Sequence, residues 1–329
     1  MRRGDPRIFF LGLLLACVAA GSLLLGRYPA PGLASIGEIL RDPLAGRLLL
    51  TLRLPRILAG ILLGATLAAA GTVFQMIFAN PLVEPGFLGV SQGAAFGAAL
   101  CIIAFTAAPA VVQAAAFAFA LAGLALSWLL ARAFRFGGWI LRLVLAGIAV
   151  SALFSAGIGA LKLMADPVRQ LSEITFWLLG GLWSVTWRSV LFLLPPVVAG
   201  LAVVSLFRWR LNVLSLDDRV AHSLGTAPER ERLLLLLAAT MATASVVSVS
   251  GLVGWVGLMV PHAARRLVGT DARKALPAGM LMGALSIVIC DDIARTVLPA
   301  EIPLGILTSL VGAVIFVALM VTAGKRRGA

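Results

Sequence analysis

Residues 57–91 read ILAGILLGATLAAAGTVFQMIFANPLVEPGFLGVS, an uncharged apolar run that ends at ANPLVEPG, where two prolines and a glutamate interrupt it. The run over 57–78 is long enough to cross a bilayer, because a spanning helix needs roughly 20 apolar residues at 1.5 Å each. Pro81 and Pro85 each lack a backbone donor, so no continuous helix passes through the segment that follows. At membrane depth, non-helical backbone survives only where protein or a water-filled cavity covers it. The expectation is a span followed by a re-entrant or sharply turned loop. Glu84 within that loop stands either beside a pathway or as a solvated turn charge.

The rest of the chain agrees. Hydrophobic residues make up 61% and charged residues 12%, with a mean hydropathy of +1.04, outside the range of soluble domains, of which about a quarter is charged. Candidate spans fall near 8–25, 57–78, 87–106, 109–131, 140–164, 187–207, 232–250, 251–267, 277–297 and 303–323. The fold class is therefore all-α, a polytopic membrane protein of about ten transmembrane helices, with residues 1–329 forming one transmembrane domain. The boundary over 245–257 is the least defined, since only glycines and serines turn SVVSVSGLVGWVGLMVP. MRRGDPR followed by an apolar run also has the form of a signal peptide, and LLAC that of a lipoprotein box at Cys17. The run continues to Leu25, which favours a span. Cys17, Cys101 and Cys290 have neither CxxC spacing nor a histidine nearby and read as small core residues.

The net charge of +13 is spread over short segments between spans, which argues against a nucleic-acid partner. Most Lys and Arg lie at one set of span ends, including Arg2, Arg3, Arg7, the RAFRF segment, the loop at about 208–231, RRLVGTDARK and KRR, which puts both termini in the cytoplasm. Arg53, Arg56, Arg188 and Arg295 sit at the opposite ends, against that bias. Gly89, Gly93 and Gly97, with the pairs Gly60/Gly64 and Gly279/Gly283, have the spacing of close helix contacts; Ser91 and Gln92 either join that packing or face a pathway.

Chemistry-bearing motifs are scarce. The chain has no phosphate loop, no HExxH and no catalytic triad context, so an intramembrane enzyme is not expected. His262, after Pro261, reads as a hydrogen-bonded structural residue. Asp291, Asp292 and Arg295 carry two readings: a local Asp291–Arg295 ion pair at i,i+4, or a functional site. The second would suit an ion-coupled secondary transporter.

RLPRILAGILLGATLAAAGTVFQ, NPLVEPGFLGVSQGAAFGAAL, VGLMVPHAARRLVG and DDIARTVLPAEIPLGILTSLVGA together resemble the FecCD family, the permease subunits of type II ABC importers for ferric siderophores, haem, cobalamin and molybdate or tungstate. The resemblance implies a homodimer in the bacterial inner membrane, with two ATPase subunits that hold ATP and Mg, and a periplasmic substrate-binding protein. It implies no cofactor or metal held by this chain, and no catalysis in it. The cargo it implies is a metal chelate, with a ferric siderophore or haem preferred and cobalamin or molybdate/tungstate as alternatives. Arg53, Arg56 and Arg295 resemble the arginines that grip acids of the binding protein. Asn80 and Leu82 match the cytoplasmic gate, with Ser91 and Gln92 along the pathway. Ala221, His222, Ser223, Leu224 and Gly225 match the ATPase-coupling segment, and Gly180 and Gly181 a periplasmic turn. Two departures are Val314, where many relatives have proline, and GLVGW, where many have proline and phenylalanine.

Overall fold

The computed structural model describes residues 5–28, 32–105, 108–298 and 300–325. Arg2, Arg3, Arg326 and Arg327 of the charge-bias reading lie outside them. In chain order the helices are α1 (Pro6–Leu24), α2 (Ile36–Arg41), α3 (Pro43–Leu48), α4 (Leu54–Ile77), α5 (Val90–Ala104), α6 (Pro109–Ala133), α7 (Trp139–Met164) and α8 (Gln170–Leu179). They continue as α9 (Trp187–Leu206), α10 (Arg208–Leu214), α11 (Asp218–Ser223), α12 (Pro228–Ser250), α13 (Val256–Val268), α14 (Ala272–Thr296) and α15 (Leu304–Lys325). A two-residue antiparallel pairing of Leu25–Gly26 with Gly32–Leu33 is the only strand structure among the described residues.

Among the described residues, seven helical stretches are long and apolar enough to cross a membrane, and Val90–Ala104 and the Leu304–Ala318 part of α15 add two shorter apolar ones. The remaining expected span, 251–267, is broken: Gly251 to Trp255 are non-helical, and α13 has only 13 residues. The described residues therefore hold seven to nine apolar spans where about ten were expected, the stretch at 251–267 falling short because its first five residues are not helical.

α4 is central. Its spanning stretch is 83% buried, and it is apolar on every face, as a helix covered all round must be. It packs against α14, α12, α13 and α9. Within a bilayer, helices gain little from burying apolar surface and associate through close backbone approach. A Cβ on Gly64 would lie 2.1 Å from the Gly283 carbonyl oxygen, one on Gly283 2.2 Å from that of Gly64, and one on Gly71 1.9 Å from that of Gly257. Gly93 has the same relation to α6, where a Cβ would lie 2.4 Å from the Phe119 carbonyl oxygen, and a Cβ on Gly123 of α6 would lie 2.4 Å from that of Gly89.

Helix ends follow local chemistry. Asp5 caps α1, accepting the Arg7 N–H at 3.2 Å, and Asp271 caps α14, accepting that of Arg273 at 3.0 Å. Proline occupies the first positions of α1, α3, α6 and α12. Between α3 and α4 the chain widens into a π-turn, Leu49–Arg53. Pro55 accounts for it, because its ring has no donor for the preceding turn and would clash with the carbonyl four residues back. The result sets Arg53 and Arg56 at the mouth of α4. Cys101 and Cys290 are buried, but Cys17 is exposed. It departs from the core reading because α1 turns only one side, with Leu11 and Ser22, toward the bundle.

Candidate functional site

The N-terminal end of α4, the C-terminal end of α14 and the C-terminal end of α1 meet in a cluster of three arginines and three acids. Arg56 Nε donates to both oxygens of Asp291, at 3.1 and 2.8 Å, and its Nη2 donates to Oδ1 at 2.8 Å. The opposite edge of the same guanidinium donates to Glu301, at 3.0 and 2.9 Å. Arg295 binds Asp292 Oδ1 at 2.5 Å and also donates to the Ser22 carbonyl at 2.6 Å, the Ser22 hydroxyl at 2.8 Å and the Leu25 carbonyl at 3.0 Å. Arg53 donates to the carbonyls of Leu23 at 2.9 Å and Tyr28 at 2.6 Å. Its guanidinium lies against Gly26, where a Cβ would come within 2.3 Å of Nη2.

The three expected docking arginines are thus neighbours, and each is committed within the chain. Formal charges balance, with Arg53, Arg56 and Arg295 against Asp291, Asp292 and Glu301. The local pair expected between Asp291 and Arg295 is the weakest contact, at 4.0 Å, because Arg56 takes Asp291 and Asp292 takes Arg295. Partner choice across helices escaped the sequence; Ser22 and Glu301 were not foreseen, although an acid two residues after Pro299 was a visible signal. Bidentate, charge-assisted contacts of this kind are the strong class of hydrogen bond, and here they hold three helix ends in register.

At the other end of α4, the loop over 79–89 turns as the two prolines require. Ala79 adopts φ 47°, Asn80 Oδ1 accepts the Leu82 N–H at 2.9 Å, and Pro85–Leu88 form a 3-10 turn that ends at Gly89 with φ 77°. Asn80 and Leu82 are exposed; Ser91 and Gln92 are half-buried at the start of α5. Glu84 is not a solvated turn charge. It accepts the backbone N–H of Trp255, the residue with φ 70° that opens α13. The carboxylate therefore satisfies a donor freed by the helix break, at the positive end of the helix dipole. Gln75 reinforces the junction, donating to the Leu258 carbonyl at 2.9 Å and accepting from Arg265 at 2.5 Å. Asn80, Gln75, Arg265, Asn212 and Asp271 border a cavity of about 520 Å³.

The break has a second set of neighbours. Gly181 donates to the Ser250 carbonyl at 2.7 Å, and Leu304 at the start of α15 donates to that of Gly180 at 2.9 Å. A Cβ on Gly180 would lie 2.2 Å from the Leu252 oxygen, and one on Gly251 2.2 Å from that of Trp177. Gly180 and Gly181 seal the interrupted backbone between α12 and α13. A cavity of about 380 Å³ opens beside it, bordered by Glu173, Trp177, Gly181, Trp183, Ser248 and Ser250. His262 Nε2 is buried without a partner among the described residues, unlike the hydrogen-bonded role expected of it.

The segment between α9 and α12 is two short helices, α10 and α11. His222, Ser223, Leu224 and Gly225 are exposed, whereas Ala221 is fully buried and its carbonyl accepts the Thr226 hydroxyl at 2.6 Å. Arg232 anchors the pair from α12 through the Leu214 carbonyl at 2.8 Å and Asp218 at 2.5 Å.

Long apolar helices, one of them interrupted, define a multi-pass membrane protein. Residues 13–322 match the FecCD transport family, and the chain belongs to it. It is 38% identical to a molybdate import system permease protein of Haemophilus influenzae, over 94% of each chain. It is 36% identical to a hemin transport system permease protein of Yersinia pestis, over 99% of this chain and 98% of that one. Among solved structures, a transporter assigned to the metal-chelate ABC type, in an inward-facing conformation, superposes with a TM-score of 0.89 at 37% identity, covering 97% of this chain and 100% of the other. The protein is thus the permease subunit of a prokaryotic metal-chelate ABC importer and not its catalytic subunit, and it implies ATPase and binding-protein partners. The family excludes the secondary-transporter reading, and Asp291 and Asp292 are spent on ion pairs.

Proposed function

We propose that two copies of this chain enclose a pathway that carries a ferric siderophore or haem from periplasm to cytoplasm by alternating access, driven by a pair of ATPase subunits. Both termini lie in the cytoplasm. The observation that carries this reading is the junction at Gly251 to Trp255, which touches Gly180 and Gly181 on one side and Glu84 of the proline loop on the other. One non-helical segment so placed supports the outer turn and the Asn80/Leu82 gate exchanging states together. Ser91 and Gln92 flank the gate. ATP closure enters through His222, Ser223, Leu224 and Gly225, with Ala221 as the buried foot of that segment.

The binding protein docks at the arginine cluster. Glu301 retains 35% of its side-chain exposure against 4% for Asp291, so an incoming acid displaces Glu301 from the outer edge of Arg56 and leaves the inner pair intact. Arg53 and Arg295 supply the remaining positive field. A second cargo, molybdate or tungstate, is favoured by the 38% identity to the Haemophilus permease over 94% of both chains; cobalamin is the third member of the set.

The test is uptake into proteoliposomes containing the permease with its ATPase pair and binding protein, offered an iron chelate, haem, cobalamin and molybdate in turn. Uptake that requires ATP, ATPase and binding protein is expected, with one cargo preferred. Uptake without the ATPase, following a proton or sodium gradient, overturns the reading.

A further inference from the structure

At the end of α12 opposite the Gly251 junction, α6, α7 and α12 leave an apolar groove of about 380 Å³ between them, lined by Leu121, Leu124, Trp128, Leu143, Leu233 and Leu237 among others. It has no polar partner along its length, and Leu237 is 47% exposed at its rim. All three helices carry the groove toward the same end of the bundle: the C-terminal turns of α6 and the first turns of α7 and α12. Cations gather there. Arg132, one turn beyond Trp128, stacks its guanidinium 4.6 Å from the Trp128 ring centre. Arg142, adjacent to Leu143, donates to the Phe134 carbonyl at 3.0 Å, while its Nε is buried without a partner. Arg230 lies one turn before Leu233 on α12. The acids nearby are committed elsewhere, since Glu231 pairs with Arg210 and accepts the Ala227 N–H, and Glu229 borders a separate cleft with Asp218 and His222.

We propose that this groove binds one acyl chain of an anionic phospholipid, with the phosphate held by Arg132 and Arg142 and within reach of Arg230. The charge pattern selects the occupant. A zwitterionic lipid offers its phosphate beside a cation that three arginines repel, whereas an anionic head group carries net charge opposite to theirs. The apolar wall takes the chain, and the Trp128 ring, with Arg132 across its face, marks the level of the head group.

Native mass spectrometry of the full-length chain in a non-ionic detergent tests this, with phosphatidylglycerol, phosphatidylcholine and glycerol phosphate added separately and in competition. Wild type is expected to retain phosphatidylglycerol about tenfold over phosphatidylcholine, on the scale of juxtamembrane arginines. R132Q/R142Q should bind the two lipids about equally, R132K/R142K should keep the preference, and A125W, which fills the groove, should weaken both lipids. If the double variant is not recovered folded, R132Q alone, at an exposed position, should lower the preference about threefold. Equal retention of both lipids by wild type, or a preference that survives R132Q/R142Q, overturns the proposal. So does displacement of the lipid by glycerol phosphate, which would make the arginines a site for soluble phosphate.

Discussion

Arg56 and Asp291, 235 positions apart in sequence, meet through three hydrogen bonds of 3.1, 2.8 and 2.8 Å, and this pair ties the start of α4 to the end of α14. Each residue alone is a charge that the surrounding protein would exclude. Together they place the Glu301-facing edge of Arg56 outward, where a partner can reach it.

Removing one member of a buried pair leaves the other charge without its counterion, at a cost of about 3 kcal/mol. Asp291→Asn and Arg56→Gln are each expected to lower the thermal unfolding midpoint of the detergent-solubilised chain. The double substitution should cost clearly less than the sum of the two. Strict additivity would show that the pair contributes nothing as a pair.

The Gly64/Gly283 contact makes a sharper packing prediction. A methyl at position 64 meets backbone rather than a movable side chain, so Gly64→Ala is expected to destabilise by about 2 kcal/mol. Gly159→Ala, where nothing lies within 4 Å, should be neutral or slightly stabilising. Comparable unfolding midpoints for the two variants would count against close α4–α14 packing.

These cases mark what the sequence discloses. Hydropathy located α4, α6, α7, α9, α12 and α14, because a bilayer demands a long apolar run and little else matches that signal. The proline loop was legible from Pro81 and Pro85, and the Gly64/Gly283 contact from small-residue spacing, whereas Gly60 and Gly279, picked out by the same spacing, leave ordinary van der Waals room. The end of α12 at Ser250 was legible, but the non-helical Gly251 to Trp255 were not, since GLVGW is as apolar as a span and only backbone geometry shows Gly251 and Trp255 at positive φ. Of the two readings of Glu84, the solvated turn charge gives way to a backbone N–H 171 positions away, a partner that no side-chain pattern announces. The arginines were picked out by defying the charge bias, but periodicity knows only neighbours on one helix, so it proposed Asp291–Arg295 where the fold pairs Asp291 with Arg56.

Acid should loosen α14 at its other end. Arg273 above all, then the Arg273 N–H and Asn212, holds the Asp271 carboxyl well below the usual carboxylate range against a smaller opposing effect of burial. A depressed folded-state pKa gives stability that is full above about pH 4 and is lost as pH falls through the folded value. The unfolding midpoint should therefore be insensitive to this group between about pH 5 and 7 and decline below about pH 4. Asp271→Asn, which keeps a capping side chain, should flatten that decline. An unchanged acid limb in the variant would remove Asp271 from the account.

Glu84 is expected to act through an acceptor oxygen more than through charge. Glu84→Gln retains an oxygen for the Trp255 N–H and should keep most ATP-driven uptake. Glu84→Leu leaves that donor unsatisfied in an apolar setting, at about 1–3 kcal/mol, and should lower both uptake and stability. If Gln and Leu are equally damaging, the negative charge itself is required, and the helix-dipole contribution outweighs the hydrogen bond.

Glu301→Gln separates docking from scaffolding at the arginine cluster. Glu301 is the exposed member of the network, and its carboxylate occupies the edge of Arg56 that an acidic residue of the binding protein would need. Neutralising it removes a competitor and a like charge from the docking face, and an exposed ion pair is worth about 0.5 kcal/mol, so stability should scarcely change. The binding-protein concentration for half-maximal stimulation of ATP hydrolysis should then fall about two- to fivefold, with a weaker response at high salt because exposed charges are screened there. Were Glu301 only a structural partner of Arg56, the substitution would lower the unfolding midpoint and leave that concentration where it was. Docking would then have to be sought on the other exposed cations of the same face, beginning with Arg188.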